Sequence, residues 1–336
     1  MNLVISVLAA PVGSEFAGMT FPAYRHLLAL SPAPTLLQEA TARRVQPLAI
    51  GAFSDGVAIA LGLAGLPLEG EEGPELLSLY VAPAWRGRGV GRAVLAAVEA
   101  EVAGRGFASL GTVFTAAAPG TAAFTRVLAA RGWTVPQPRT LLMRFTLEQA
   151  QRFPWFNRYP LRQGCEIFPW RELTPAERQQ LMDSQRQRGW IAEDLVPWRW
   201  DEHGFEPVTS VGMRSPEGVV GWVINHAIGA HTLRFTCSYI RKDYGRRGRI
   251  LPLYSESITR MQNTPFTHCS FVAPLHHATM AAFVRRWMAP WAGTVQETLG
   301  STKALAPQPA ATPLPPSEKE HRGSTVGPSQ QETQRK

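Results

Sequence analysis

Residues 75–104 read ELLSLYVAPAWRGRGVGRAVLAAVEAEVAG, a stretch that sets a strand, a glycine-rich turn and a helix start in direct succession. Glu75 to Pro83 is apolar and closes on proline. Arg86-Gly87-Arg88-Gly89-Val90-Gly91 follows, with side-chain-free positions where a backbone must approach another group closely. Val94, Leu95, Val98 and Val102 then recur at helical spacing until Gly104 ends the helix. Free N–H groups at the start of that helix, the positive end of its dipole and the arginines Arg86, Arg88 and Arg92 together suit a pyrophosphate. The loop lacks the Lys-Ser/Thr pair of a P-loop. It also fails the dinucleotide pattern, because it does not read G-x-G-x-x-G and places no acidic residue cleanly ~20 positions on.

What the loop resembles is the acyl-CoA signature of the GNAT acyltransferase superfamily, Arg/Gln-x-x-Gly-x-Gly/Ala, matched by Arg86, Gly89 and Gly91. Its surroundings are similar too: a preceding LYVAP strand, then a strand from Gly106 to Phe114 and a helix from Gly120 to Arg131. That helix ends in Arg131-Gly132-Trp133, where the family has a Gly-aromatic pair. The resemblance implies an α/β fold with a mixed, mostly antiparallel sheet flanked by helices. It further implies transfer of an acyl group from acyl-CoA, acetyl or medium-chain, to a primary amine of a small molecule or peptide, with no metal. In those terms Leu79, Tyr80 and Val81 contact the pantetheine arm and thioester. Arg86, Gly87, Arg88, Gly89, Val90, Gly91 and Arg92 hold the pyrophosphate.

An amine nucleophile must be neutral to attack, and an alkylamine with pKa near ~10.4 is mostly protonated at neutral pH, so a base or a water chain is needed. Glu75, at the head of the signature strand, is the first candidate base; a surface glutamate at a strand entrance is the alternative. Ser78 and Tyr80 are candidates for the acceptor groove. Many relatives carry a tyrosine acid four residues before the Gly-aromatic pair, and Leu128 stands there. Tyr80, or His226 or Tyr239 from the other half, is left as the candidate proton donor. Leu128 and the apolar strand Ala58 to Leu66 also leave open a longer acyl tail, favoured by ~0.8 kcal/mol per buried methylene. A peptide bearing the acceptor lysine or ornithine is one such acceptor.

At 336 residues the chain exceeds one domain of ~100–200 residues, and the same order of elements occurs twice. In the first half, 1–150, a strand near Leu3 to Leu8 precedes a helical region at Pro22 to Ala42, and strands Val45 to Ser54 and Gly56 to Leu66 join across Ser54-Asp55-Gly56. Strands near Trp133 and from Thr140 to Leu147 finish the unit. Residues 151–164 are proline-interrupted, as a linker would be, with aromatic residues that must pack on something. The second half, 165–305, opens with a strand from Cys165 to Trp170 and a capping box at Thr174-Pro175-Ala176-Glu177. A hairpin from Pro207 to Ile228, a strand from Thr232 to Ile240, a turn at Gly245 to Arg249 and a helix from Ser255 to Met261 follow. A strand from His268 to Pro274 and a helix from His276 to Trp287 complete it. This second copy is degenerate: Gly245 replaces the leading Arg, Ile250 replaces the closing glycine, and Pro252 is expected to delay the helix.

The net charge of +8 concentrates at Arg241 to Arg249. A second reading follows from it, a non-catalytic binding protein for an acidic partner, with nucleic acid the less favoured case. Cys165, Cys237 and Cys269 have no metal-like spacing and read as buried thiols. Adjacent His276 and His277, read as helical, point apart and form no metal pair. No segment reads as a membrane span or signal peptide, so a cytoplasmic protein is expected. Residues 306–336, rich in Pro, Gln, Ser and Thr, are expected to be disordered. Oligomeric state leaves no signature.

Overall fold

The computed structural model describes residues 2–30, 45–68, 73–201, 204–244 and 250–306. Among them, twelve strands form one mixed sheet in the order β1-β2-β3-β4-β5-β12-β6-β11-β10-β9-β8-β7. The strands are β1 Leu3–Val7, β2 Val45–Ser54, β3 Val57–Pro67, β4 Glu75–Val81, β5 Ser109–Thr115 and β6 Gln137–Thr146, then β7 Glu166–Pro169, β8 Val211–Ser215, β9 Gly218–Gly229, β10 Thr232–Ile240, β11 His268–Pro274 and β12 Thr294–Ala304. The helices used below are α1 Val90–Gly104, α2 Thr121–Ala130, α3 Leu147–Gln151, α4 Pro175–Arg188, α5 Leu251–Met261 and α6 Ala278–Phe283. All pairings are antiparallel except β4 with β5 and β10 with β11.

The sheet order is symmetric about the β12–β6 seam, so β1 to β5 correspond to β7 to β11. Positions correspond at a constant offset: Leu76 with Phe235, Val81 with Ile240, Ser109 with His268. The last strands are exchanged. β12, from the end of the second half, pairs with β5 of the first, and β6, from the end of the first, pairs with β11 of the second. Equivalent hydrogen bonds follow each swap, Leu147 N–H to Thr267 O (2.9 Å) and Leu305 N–H to Ala108 O (2.8 Å). At the seam β6 and β12 pair antiparallel, and Thr140 and Thr298 share a 2.6 Å hydroxyl contact. The halves delimited as 1–150 and 165–305 thus each lend a strand to the other.

Local chemistry accounts for most boundaries. Asp55 (φ 50°) and Gly56 (φ 81°) make the left-handed turn between β2 and β3 that matches strand twist. Thr174 and Glu177 cap α4 reciprocally. Pro252 does not delay α5, which starts at Leu251; proline lies in the first turn, where no N–H is needed. Trp133 is not in a strand, because its indole is committed to a buried ion cluster described below. The helix expected from His276 begins at Ala278 and gives way to a π-helical turn at Val284–Met288. A 3₁₀ segment covers Pro22–Leu28, while the rest of the helix expected to Ala42 reaches into 31–44, outside the described residues.

Each half has a core on both sheet faces. In the first, Val90, Val94, Leu95, Val98 and Val102 of α1 pack with Leu48, Ile50, Ala60 and Leu76. Gly62 makes this approach possible, since a Cβ there would stand 2.9 Å from both Val94 and Val98. On the opposite face Phe16, Leu27 and Leu28 pack with Leu61 and Leu63. The linker does pack: Phe153 and Trp155 are buried in the second half's core. Cys237 and Cys269 are buried and Cys165 half-buried, all three as free thiols; burial pushes the Cys269 thiol up. No described helix is long and apolar enough to cross a membrane. Residues 307–336 lie outside the described ones.

Candidate functional site

The loop from β4 to α1 folds through two left-handed glycines, Gly87 (φ 76°) and Gly89 (φ 81°), the second being the N-cap of α1. No described side chain caps this helix, and a methyl group at either glycine would meet no described atom within 4 Å. Glycine is required by the backbone conformation, and no described residue covers the loop at these two positions. The N–H groups of Val90, Gly91 and Arg92 have no intrahelical acceptor and add to the positive end of the helix. Gly91 sits against Val81, whose Cγ2 would be 3.4 Å from a Cβ there. Arg86 folds the loop back: its Nε donates to Val81 O at 3.0 Å, and its guanidinium lies 6.0 Å from the Tyr80 ring centre. Arg88 lies over Trp85 at 5.2 Å.

β4 parts from β5 immediately after its start, since Glu75↔Gly111 and Leu76↔Thr112 are the only ladder pairs between these described strands. Thr112 Oγ1 donates to Leu76 O (2.9 Å) at the fork. A bulge falls there as well: Leu63 of β3 faces Ser78 and Ala64 faces Leu76, leaving Leu77 as the extra residue. A bulge resets strand alternation. Leu76, Leu79 and Val81 therefore pack on the α1 side. Leu77 packs with Leu61 and Leu63 on the other side, where Ser78 meets Thr20 at 2.9 Å. Glu75 and Tyr80 share that second face.

The second face also receives Tyr24, from the Pro22–Leu28 segment. Burial first, and then the Glu75 charge, push its phenol above the ordinary range, so it stays protonated. Burial holds His26 of the same segment below the usual histidine range, outweighing its hydrogen bond to Ala23. Neither was singled out from the sequence, where a short 3₁₀ segment leaves no periodic signal. Leu128 is fully buried among the α1 residues and serves the core.

Behind α1, Glu99 is 4% exposed and gathers three donors: Arg131 (2.6 Å), the Trp133 indole (2.8 Å) and Lys303 of β12 (2.5 Å). The Arg131-Gly132-Trp133 motif thus anchors the signature helix, and the exchanged strand completes the anchor.

The second half has the same fork and bulge, with β10 paired to β11 only from Thr232 to Phe235 and Thr236 as the extra residue. Its fork is filled. Trp155 stacks on Phe153 and lies 6.0 Å from both Tyr254 of α5 and Phe283 of α6. Farther along the linker, Arg162 lies over Tyr244 at 4.6 Å. The position of Glu75 is taken by Arg234, half-buried, with its pKa lowered by desolvation of its guanidinium. His226 is held at both nitrogens, by Thr236 and Trp200 O (2.9 Å each), and Tyr239 donates to Trp190 O (2.7 Å). Both side chains are committed to these hydrogen bonds within the second half. Arg241 is paired with Asp243 and Glu217, and Gly245 to Arg249 lie outside the described residues. His276 and His277 do not point apart: both precede α6, and both imidazoles reach Asp194.

The Acetyltransferase (GNAT) family model matches residues 19–128, the span that holds β2 to β5, α1 and most of α2. No curated protein matches the sequence. Among solved structures the chain is similar to a tandem GNAT protein from the clavulanic acid biosynthesis pathway (TM-score 0.61, 14% identity, covering 92% of this chain and 100% of that one). It is equally similar to a GCN5-related N-acetyltransferase from Sphaerobacter thermophilus (TM-score 0.61, 16% identity, covering 91% and 96%). At such identities the likeness is one of fold. Residues 19–128 thus match the model of the GNAT acetyltransferase family, within a chain that has the fold of tandem GNAT proteins.

Proposed function

We propose that the chain is an acyl-CoA-dependent N-acyltransferase whose one working donor site lies in the first half. The observation that carries this reading is the conjunction at β4: a glycine loop, uncovered by described residues, with helix N–H groups lacking intrahelical acceptors at its C-terminal end, and a fork at its start where no described strand pairs with the rest of that edge. The pyrophosphate of acyl-CoA sits on Gly87, Gly89, Val90 and Gly91, with Arg88 and Arg92 supplying charge. The pantetheine arm and thioester run along Leu79, Tyr80 and Val81. The acceptor, an amine on a small molecule or peptide, enters on the face that carries Glu75, Ser78 and Tyr80.

In the reaction the amine lone pair attacks the thioester carbonyl carbon, the C–S bond breaks, and an amide and CoA result. Glu75 takes the proton the amine must lose. The leaving thiolate is protonated by Tyr80, on the same face of β4, or leaves as the anion, since a thiol pKa of ~8.5 makes it a tolerable leaving group. Acetyl and medium-chain donors are both compatible with the apolar wall of Leu79, Val81, Phe114 and Phe124. The competing reading is a binding protein working through a basic second-half surface; of that surface Arg241 is paired with Asp243 and Glu217, and Gly245 to Arg249 lie outside the described residues.

The test is transfer kinetics. Glu75→Gln should lower kcat ~10²–10⁴-fold with little change in the KM for acyl-CoA, and an unchanged kcat would remove Glu75 as the base. Gly89→Glu puts bulk and negative charge at the loop and should abolish transfer; full activity in that variant would sink the donor-site assignment.

A further inference from the structure

We propose a metal site in the second half, formed by Asp194, His276 and His277 and suited to a borderline divalent ion such as Zn²⁺. His276 Nε2 lies 3.2 Å and His277 Nε2 2.7 Å from the same oxygen, Asp194 Oδ2, and the two rings are 4.1 Å apart between centres. The three ligand atoms all fall within 4.8 Å of one another. In a tetrahedral site with bonds of ~2.0–2.2 Å, ligand atoms stand about 3.3–3.6 Å apart, so small side-chain rotations admit an ion. Two imidazoles and a carboxylate are the donor set that zinc and its neighbours favour over calcium or magnesium. The ion joins the Glu193–Leu195 turn to the loop that leads into α6.

The ligands stand on backbone that is already fixed. Asp194 O accepts from the Trp200 indole (2.9 Å), and Leu195 O accepts from the Trp222 indole (3.2 Å) and the Cys237 thiol (3.3 Å). His277 is tied from its own N–H to Pro274 O (3.1 Å), and its carbonyl receives Ala281 N–H (3.0 Å). Ordering is therefore confined to three side chains, which keeps the entropic cost of binding small. The His276 side chain is 66% exposed, which leaves the ion's remaining position to water or an incoming ligand. The site belongs to the second half alone, since the corresponding first-half residues are Ala117 and Ala118.

The experiment is titration of the chelator-stripped full-length chain with ZnCl₂ against a competing chromophoric chelator. One ion per chain is expected. The double variant His276→Gln/His277→Gln, with folding checked by circular dichroism, should lose more than the ~10–100-fold in affinity that removal of an outer-shell partner costs. His268→Gln, elsewhere on the surface, should change nothing. Should the double variant fail to fold, Co²⁺ added to the unmodified chain must give the intense visible bands of a low-coordinate nitrogen and oxygen site. No stoichiometric ion in the unmodified chain, equal affinity in the double variant, or only weak octahedral Co²⁺ bands would overturn the proposal and leave the cluster a hydrogen-bonded clasp.

Discussion

Between β4 and β5 the sheet opens after Leu76, and between β10 and β11 it opens after Phe235, yet the two forks are filled differently. The first is walled by half-buried Leu79, Val81, Phe114 and Phe124, and no described segment packs into it as the linker packs into the second. The second is packed with Phe153 and Trp155, and its strand β11 carries Ala273 where β5 carries Phe114. At the head of the strand Glu75 has its counterpart in Arg234, an exchange of charge sign at the position of the proposed base. At the loop, Gly91 has its counterpart in Ile250. The same backbone thus carries a core at the second fork, while no described residue fills the first. The residues that fill the second fork, Phe153 and Trp155, follow β6 and α3 in the chain.

The comparison breaks most severely if the halves can be separated. A fragment ending at residue 150 lacks β12, and with it the partner of β5 and the Lys303 amine on buried Glu99. It should not give a cooperative unfolding transition; a stable, monomeric fragment that binds acyl-CoA would show that the exchange is incidental. Next in size, Trp155→Ala removes a large buried side chain and should cost about 3–5 kcal/mol. It should still not create a second acyl-CoA site, because Arg234, Ile250 and Pro252 remain. Gain of such a site would mean that the linker alone closes the second fork.

A smaller effect sharpens the contrast through pH. Glu177, which caps α4 over the second half, is held at a pKa of about 2, chiefly by its hydrogen bonds to Arg214 (2.5 Å) against an ordinary 4.5. A depressed carboxylate stabilises the fold above the unfolded pKa and loses that contribution as pH falls through the folded one. Protection against hydrogen exchange, taken relative to the intrinsic rate at each pH, should therefore fall in α4 and β8 between about pH 4.5 and 2, while α1 is unaffected by this pair. Arg214→Ala should flatten that dependence; an unchanged acid profile would show that the pair does not hold the helix.

The donor loop was legible because its function depends on backbone: left-handed conformations at Gly87 and Gly89 and a close approach at Gly91 each demand a residue type visible in the letters. β2, β10 and β11 were legible for a related reason, being apolar runs bounded by turn residues. β12 was not, since TVQETLGSTKA carries little apolar alternation. Its place is set by pairing with two neighbours at the seam, which no local pattern encodes. Tyr24 reaches the Glu75 face through tertiary packing alone. His276 and His277 were misread because they were assigned to a helix, whereas the loop before α6 lets both rings turn one way.

The most direct test of the account is calorimetric titration of the full-length chain with acetyl-CoA and with a medium-chain acyl-CoA, alongside the Gly89→Glu variant. One site per chain, absent from Gly89→Glu, is the predicted result. Two sites per chain, or one site that survives in the variant, would contradict a donor cleft confined to the first half.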